Sequence, residues 1–189
     1  MNWLEQLALR NPHPPVPVVP RRFEDVTLQG IQNKRIHTTT VNYLTNFWDA
    51  GAAGLAPLFV GASGQYKTYA AAVIAKTVGK HIETRFVSCP LLYTDLGADK
   101  AGVHPELHAI LTVPFLVLDD FAMWEPKSYT FPTLLTIASE RHAAKLPTLY
   151  TGNLQLDKLD PFKTVTDRYG VLFARRLDEG STGYRVAII

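Results

Sequence analysis

Residues 61–68, GASGQYKT, set a lysine and a hydroxyl side by side behind two glycines. These are the residue types that grip a phosphate chain. The backbone N–H groups of such a turn, with the N-terminus of a following helix, form a positive concavity for anions. Lys67 would reach the β- and γ-phosphates of a nucleotide, and the Thr68 hydroxyl would bind Mg2+. The phosphate-loop pattern is G-x-x-x-x-G-K-[ST], opened here by Gly61 and closed by Lys67 and Thr68. Ala62, Ser63, Gly64 and Gln65 supply the backbone between. The residue before the lysine, a glycine in that pattern, is Tyr66. Glycine serves where φ > 0 or a close ligand excludes Cβ, so a tyrosine held at φ > 0 costs about 1–2 kcal/mol. Its ring leaves the cradle open if it points outward and fills phosphate space if it points inward.

A second constellation is FLVLDD, residues 115–120, an apolar run ending in two acids. An apolar strand with an acid at its tip matches the Walker B element, whose carboxylate holds Mg2+. Asp119 is placed to hold the metal, directly or through a water, and Asp120 to polarise an attacking water. Two acids after a strand otherwise cap a helix or line a solvated turn. Their position some fifty residues after the loop, with strand and helix patterns between, favours the metal. A third is LYTGN, residues 149–153. There Thr151 or Asn153 would orient water beside the γ-phosphate, or Gly152-Asn153 simply turns the chain. The fourth, RRLDEG at 175–180, offers arginines of the kind that stabilise a transferring phosphoryl group, sometimes from a neighbouring subunit. The alternative is a helix C-terminus whose dipole the arginines complement and which Gly180 stops.

Positioning these residues takes alternating strands and helices. Residues 2–10 carry Trp3, Leu4 and Leu7 at near-helical spacing, and Asn11–Pro20 holds five of the chain's 13 prolines, which suits an extended connector. Thr39-Thr40 can cap a helix through VNYLTNFWDAG, with Val41, Leu44, Phe47 and Trp48 on one face and Gly51 at its stop. Strand LAPLFVG leads into the loop and an alanine-rich helix, TYAAAVIAKTVG, follows it. Strand ETRFVSC, helix HPELHAILT, strand TVPFLVLDD, helix SYTFPTLLTIASERHAAK, strand LPTLYTGN, a helical stretch to Leu177 and strand GYRVAII complete the order. Strands alternating with helices imply a parallel sheet covered on both faces.

Composition bounds the rest. A chain of 189 residues with 47% hydrophobic and 19% charged residues suits one globular domain. A net charge of +2 does not by itself announce a nucleic-acid binder, although Arg21-Arg22, Lys34-Arg35 and Arg175-Arg176 are basic pairs. No apolar stretch reaches the roughly 18–20 residues that span a bilayer, and the N-terminus lacks a secretory core. The single Cys89 rules out an internal disulfide and fits a reducing compartment, so the expected location is cytoplasmic. The histidines show no metal-ligand pairing with cysteine and no G-x-S-x-G occurs, which gives zinc and serine-hydrolase chemistry little support.

From Arg21 onward the four elements, in this order and spacing, resemble the AAA+ helicase-loader ATPases of the DnaC and DnaI type, with the IstB transposition helpers as near relatives. Further echoes are RRFEDVTL, NYLTNF and the run ERHAAKLPTLYTGN. The resemblance implies an α/β fold, a three-layer αβα phosphate-loop NTPase with a central parallel five-stranded sheet; the expectation of no C-terminal lid domain is a departure from it. Residues 1–20 would be an N-terminal helix and connector, and 21–189 the ATPase domain. It implies ATP and Mg2+ as cofactors, with nucleotide held by Gly61, Ala62, Ser63, Gly64, Gln65, Tyr66, Lys67 and Thr68. Thr68 and Asp119 would hold the metal. Asp120 would be the second Walker B acid, Asn153 sensor 1 and Arg176 an arginine finger.

The implied partners are single-stranded DNA, a replicative helicase or another replication or transposition protein, and further copies of the chain assembled through the ATP interface. Residues Phe86 to Tyr93 and the following segment would touch DNA, because bases stack on aromatics. Three further departures stand out. Tyr66 replaces the loop glycine, Gly152 stands where the family has a hydroxyl, and only about twenty residues precede Arg21 in place of a helicase-binding domain. Retention of Lys67, Thr68, Asp119 and Asp120 leads to an expectation of weak ATP binding with slow hydrolysis. The competing expectations are a non-enzymatic adaptor of AAA+ shape and an IstB-like transposition helper.

Overall fold

Five short runs, LFVG, TRFVS, FLVLD, TLYTGN and RVAI, lie side by side in a computed structural model that describes residues 1–11, 14, 19–98, 107–123, 131–154 and 161–188. They form β1 (Leu58–Gly61), β2 (Thr84–Ser88), β3 (Phe115–Asp119), β4 (Thr148–Asn153) and β5 (Arg185–Ile188). The sheet order is β2-β3-β4-β1-β5 and every pairing is parallel. All residues of β1 and β3 are buried, as expected where crossover helices cover both faces.

Alternate residues of each strand feed two separate cores. Phe59, Phe115 and Val117 join one apolar cluster, and Leu58, Val60, Leu116 and Leu118 join the other. The first core is closed by α1 (Trp3–Arg10), α2 (Lys34–Thr45), α3 (Phe47–Ala52) and α4 (Lys67–Val78). The second is closed by α5 (Cys89–Ala98), α6 (Leu107–Thr112), α7 (Phe131–Ala143) and α8 (Pro161–Gly180). This is the expected three-layer arrangement. In α4 the run Ala70–Ala75 is wholly buried, its small side chains letting the helix lie close to the sheet. Gly170 (φ 82, ψ 160) interrupts α8, so the helix runs as two segments.

Local chemistry moves several boundaries. The suggested cap at Thr39-Thr40 is incorrect: α2 begins at Lys34, because the Asn33 side chain accepts from the N–H groups of Arg35 and Ile36. Its buried stripe is Ile36, Thr40 and Tyr43, while Val41 is exposed. The expected single helix also breaks at Asn46 (φ −105, ψ 16), after which α3 starts. Helix α5 follows β2 without a loop and carries no amphipathic signal that would mark it in sequence. The starts suggested for α6 and α7, at residues 104 and 128, lie outside the described residues, as does most of the 11–20 connector. Helix α1 packs on α3, where the Asn2 side chain donates to the Trp48 carbonyl (2.8 Å) and Leu4 is fully buried. It therefore shares the first core.

One buried cation ties the second layer together. Arg141, fully buried on α7, donates to the carbonyls of Ile110 (2.9 Å), Val113 (2.8 Å) and Pro147 (3.1 Å) and to the Thr148 hydroxyl (2.8 Å). It thereby satisfies the end of α6 and the approaches to β3 and β4, where carbonyls would otherwise be orphaned. Burial pushes its pKa down to about 10.

Candidate functional site

Register decides which side chains meet. Gly61 at the end of β1 pairs with Asn153 of β4, and Ser88 of β2 with Asp119 of β3. The tips of β1, β3 and β4 therefore share the carboxyl edge of the sheet, where open α/β folds place their ligands. Gly61 must be glycine because β5 lies alongside, and a Cβ there would strike the Ile188 carbonyl oxygen. The chain then turns through Gly64 (φ 76) and Tyr66 (φ 65, ψ 16) into α4.

Tyr66 thus adopts the left-handed conformation that the loop pattern reserves for glycine, and keeps its ring. The ring stands edge-on to Tyr69, one turn into α4, at 5.8 Å and 71°. Tyr69 in turn meets Phe23 at 6.2 Å and accepts a hydrogen bond from the Thr27 N–H (3.1 Å). The tyrosine ring is part of a cleft wall, turned toward this aromatic row. The cleft has a volume of about 440 Å3 and is bordered by Ser63–Tyr69, Arg22, Phe23 and Asn153.

Lys67 occupies the interior of the loop. Its ammonium donates to the carbonyls of Gly61 (3.1 Å) and Ala62 (2.5 Å), and the side chain is buried. Burial lowers its pKa, against the pull of Asp120 and Asp119. Beside it the Thr68 hydroxyl donates to Asp119 Oδ1 (2.8 Å), and the Thr151 hydroxyl donates to the same oxygen (2.6 Å). Thr151 also accepts from the Asp120 N–H (2.9 Å), so β4 fixes both acids. Burial pushes the Asp119 carboxyl above its ordinary range. The Thr151 and Thr68 hydroxyls and the Arg22 charge oppose the shift, and Asp120 adds to it.

Asp120 sits at φ 61, a conformation that aspartate tolerates better than most residues. Its Oδ1 accepts from the Asn153 backbone N–H (3.3 Å) and Nδ2 (3.0 Å). The two polar residues of LYTGN therefore divide the work, Thr151 holding Asp119 and Asn153 holding Asp120. Gly152 between them has a packing reason, since a Cβ there would lie 2.8 Å from the Phe121 ring.

Sequence reasoning passed over Asn33, Arg22, Phe23 and Tyr69. Asn33 uses its oxygen to cap α2 and its Nδ2 to donate to Gln65 Oε1 in the loop (3.0 Å), an amide orientation dictated by the cap. A polar residue before an apolar helical pattern was the available signal. Arg176 is not in the cleft. It lies by Gly54, His142 and Gly180 near the start of β4, its Nη1 donating to Glu179 Oε2 (3.2 Å). In the segment suggested for DNA, Phe86 packs against the first core, Leu92 is buried and Leu91 is exposed.

The donor set suits Mg2+ and a polyphosphate. A carboxylate and a hydroxyl oxygen adjoin at 2.8 Å, hard ligands of the kind that cation prefers, next to a buried ammonium at a helix N-terminus. No protein-family model and no curated protein sequence matches the chain. Solved structures do match in fold. The DnaC helicase loader aligns with a TM-score of 0.76 at 22% identity, over 90% of this chain and 100% of that one. DnaI aligns at 0.72 and 20% identity, over 92% and 93%. The replication initiator DnaA bound to AMPPCP and single-stranded DNA aligns at 0.66 and 16% identity, over 89% of this chain and 50% of that one. The chain has the fold of the AAA+ phosphate-loop ATPase domains.

Proposed function

We propose that this chain is a replication-associated ATPase of helicase-loader character that binds ATP with Mg2+, hydrolyses it slowly and acts with single-stranded DNA and a replicative helicase. The observation that carries the reading is the meeting of Thr68 and Thr151 on one oxygen of Asp119, directly beside the buried Lys67. Such an arrangement has a chemical use if a cation and phosphates complete it.

In this reading Thr68 and Asp119 hold Mg2+, which when bound neutralises phosphate charge. Lys67 exchanges its two loop carbonyls for phosphate oxygens. Asp120, oriented by the two Asn153 donors, polarises the attacking water. Arg176, remote from the cleft of its own chain, serves the cleft of a neighbouring copy. Support for DNA and helicase as partners comes from the fold likeness to DnaC, DnaI and the DNA-bound DnaA.

Two observations favour a second reading, an AAA+-shaped adaptor that binds DNA or a replication protein without turnover. The Lys67 ammonium already has two acceptors, and Tyr66 adds a strained residue to the loop. Nucleotide titration by calorimetry, with Lys67→Ala alongside and ATPase assayed with and without single-stranded DNA, separates the two. The first reading expects ATP binding that the variant loses. Equal and negligible affinity in both proteins leaves the adaptor.

A further inference from the structure

Arg22 is exposed and borders the cleft. Among the described residues its guanidinium makes no hydrogen bond or ion pair, and its one defined contact is the Phe23 ring, 4.7 Å from centroid to Cζ. Stacking engages the face of the guanidinium and leaves its N–H edge for an oxyanion. The residue borders the same cavity as Lys67, Thr68 and Asn153, the last two being the hydrogen-bond partners of Asp119 and Asp120.

The backbone that carries Arg22 is held at both ends. The Phe23 N–H donates to the Pro20 carbonyl (2.7 Å), Lys76 of α4 bonds the Glu24 carbonyl, and the Thr27 N–H reaches Tyr69 of α4. Phe23, Tyr69 and Tyr66 continue as an edge-to-face row into the loop. The backbone on either side of the arginine is thus mounted on the helix that begins with Lys67, and that backbone needs little further ordering when a ligand binds.

We infer that Arg22 is a phosphate-reading residue of the cleft, contacting the terminal phosphate of a bound nucleoside triphosphate from within the same chain. The inference rests on the ATP-binding reading above and adds a cation that the loop and the Arg176 segment do not supply. A charge-assisted, bidentate arginine–phosphate contact is among the stronger polar interactions.

The test compares ATP and ADP affinities, by calorimetry with Mg2+, for the wild-type chain, Arg22→Ala, Arg22→Lys and the neighbouring Arg21→Ala. Arg22→Ala is expected to weaken ATP about tenfold or more, while ADP changes less than about twofold. Arg22→Lys should fall between, because the charge remains and the fork is lost. Arg21→Ala should match wild type. Equal weakening of ATP and ADP places Arg22 at the base or sugar and overturns the inference, as does an unchanged ATP affinity. In both those outcomes wild type still binds ATP and Lys67→Ala does not, so the ATPase reading stands while this one fails. A wild-type chain that binds neither nucleotide removes both.

Discussion

Tyr66 combines two opposed local terms. Its left-handed backbone costs about 1–2 kcal/mol for a residue with Cβ, while its edge contact with Tyr69 returns about 0.5–1.5 kcal/mol. Tyr66→Ala keeps the strain and loses the ring, so it should destabilise by about 1 kcal/mol. Tyr66→Gly removes strain and ring together and adds chain entropy of about 0.5–1 kcal/mol to the unfolded state, so its stability should stay close to wild type. Chemical denaturation of the three proteins checks the order. Asp119 gives a second residue-scale expectation. Burial raises its pKa in the fold, so the native state takes up this proton at higher pH than the unfolded chain. The linked stability is complete below the unfolded value of about 4 and is lost as pH rises through the raised native value. Asp119→Asn keeps an acceptor for both hydroxyls, and should melt above wild type at pH 7 without Mg2+. That gap should close as pH falls toward 4; melts across this range that show a constant gap would count against the assignment.

Elements in this fold are joined by a few polar side chains that serve two masters. Arg141 binds carbonyls at the end of α6 and before β3 and β4, all buried. Arg141→Met leaves those acceptors without donors, at a cost of about 1–3 kcal/mol for each one that water cannot reach. The variant should unfold at clearly lower denaturant concentration, and the amide protons of α6 should exchange early. Asn33 joins α2 to the phosphate loop. Asn33→Ala should cost about 1 kcal/mol through the lost cap. Asn33→Asp keeps the cap oxygen and so the stability, yet loses the donor to Gln65. Comparing the two by denaturation and nucleotide titration separates the cap from the loop contact. Most elements were legible in the sequence because apolar runs of strand length alternate with helical spacing and end in glycine or acid. The exceptions have physical causes: α5 lacks an amphipathic stripe, and the start of α2 is set by the Asn33 cap, a signal with which Thr39-Thr40 competes further along the chain.

At the scale of the molecule, the cleft and Arg176 occupy different parts of one chain. An arginine finger at that position can act only across an interface between copies. Lys67→Ala and Arg176→Ala should each be inactive as ATPases, Arg176→Ala while still binding ATP. A mixture of the two should regain part of the activity, since a cleft intact in one copy meets the finger of another. Light scattering with and without ATP and DNA measures the assembly directly, and a strict monomer under every condition would withdraw Arg176 from the active site. No helix among the described residues is long and apolar enough to cross a membrane.

The chemistry of the candidate site was written in residue order. GASGQYKT, FLVLDD and LYTGN carry their lysine, hydroxyls and acids at the ends of apolar runs, and a chain that buries such runs in a parallel sheet must bring those ends to one edge. Tertiary structure alone decided which partner each side chain took. Thr151 faces Asp119 and Asn153 faces Asp120 because alternation along β4 and the turn after β3 set their directions. Gly152 is small because Phe121 comes to rest on it from another element. The direction of the Tyr66 ring, toward Tyr69 and Phe23, was likewise beyond sequence, since it depends on a segment some forty residues earlier folding back onto α4. Spacing along a chain predicts which groups reach the same edge; only packing determines which of them touch.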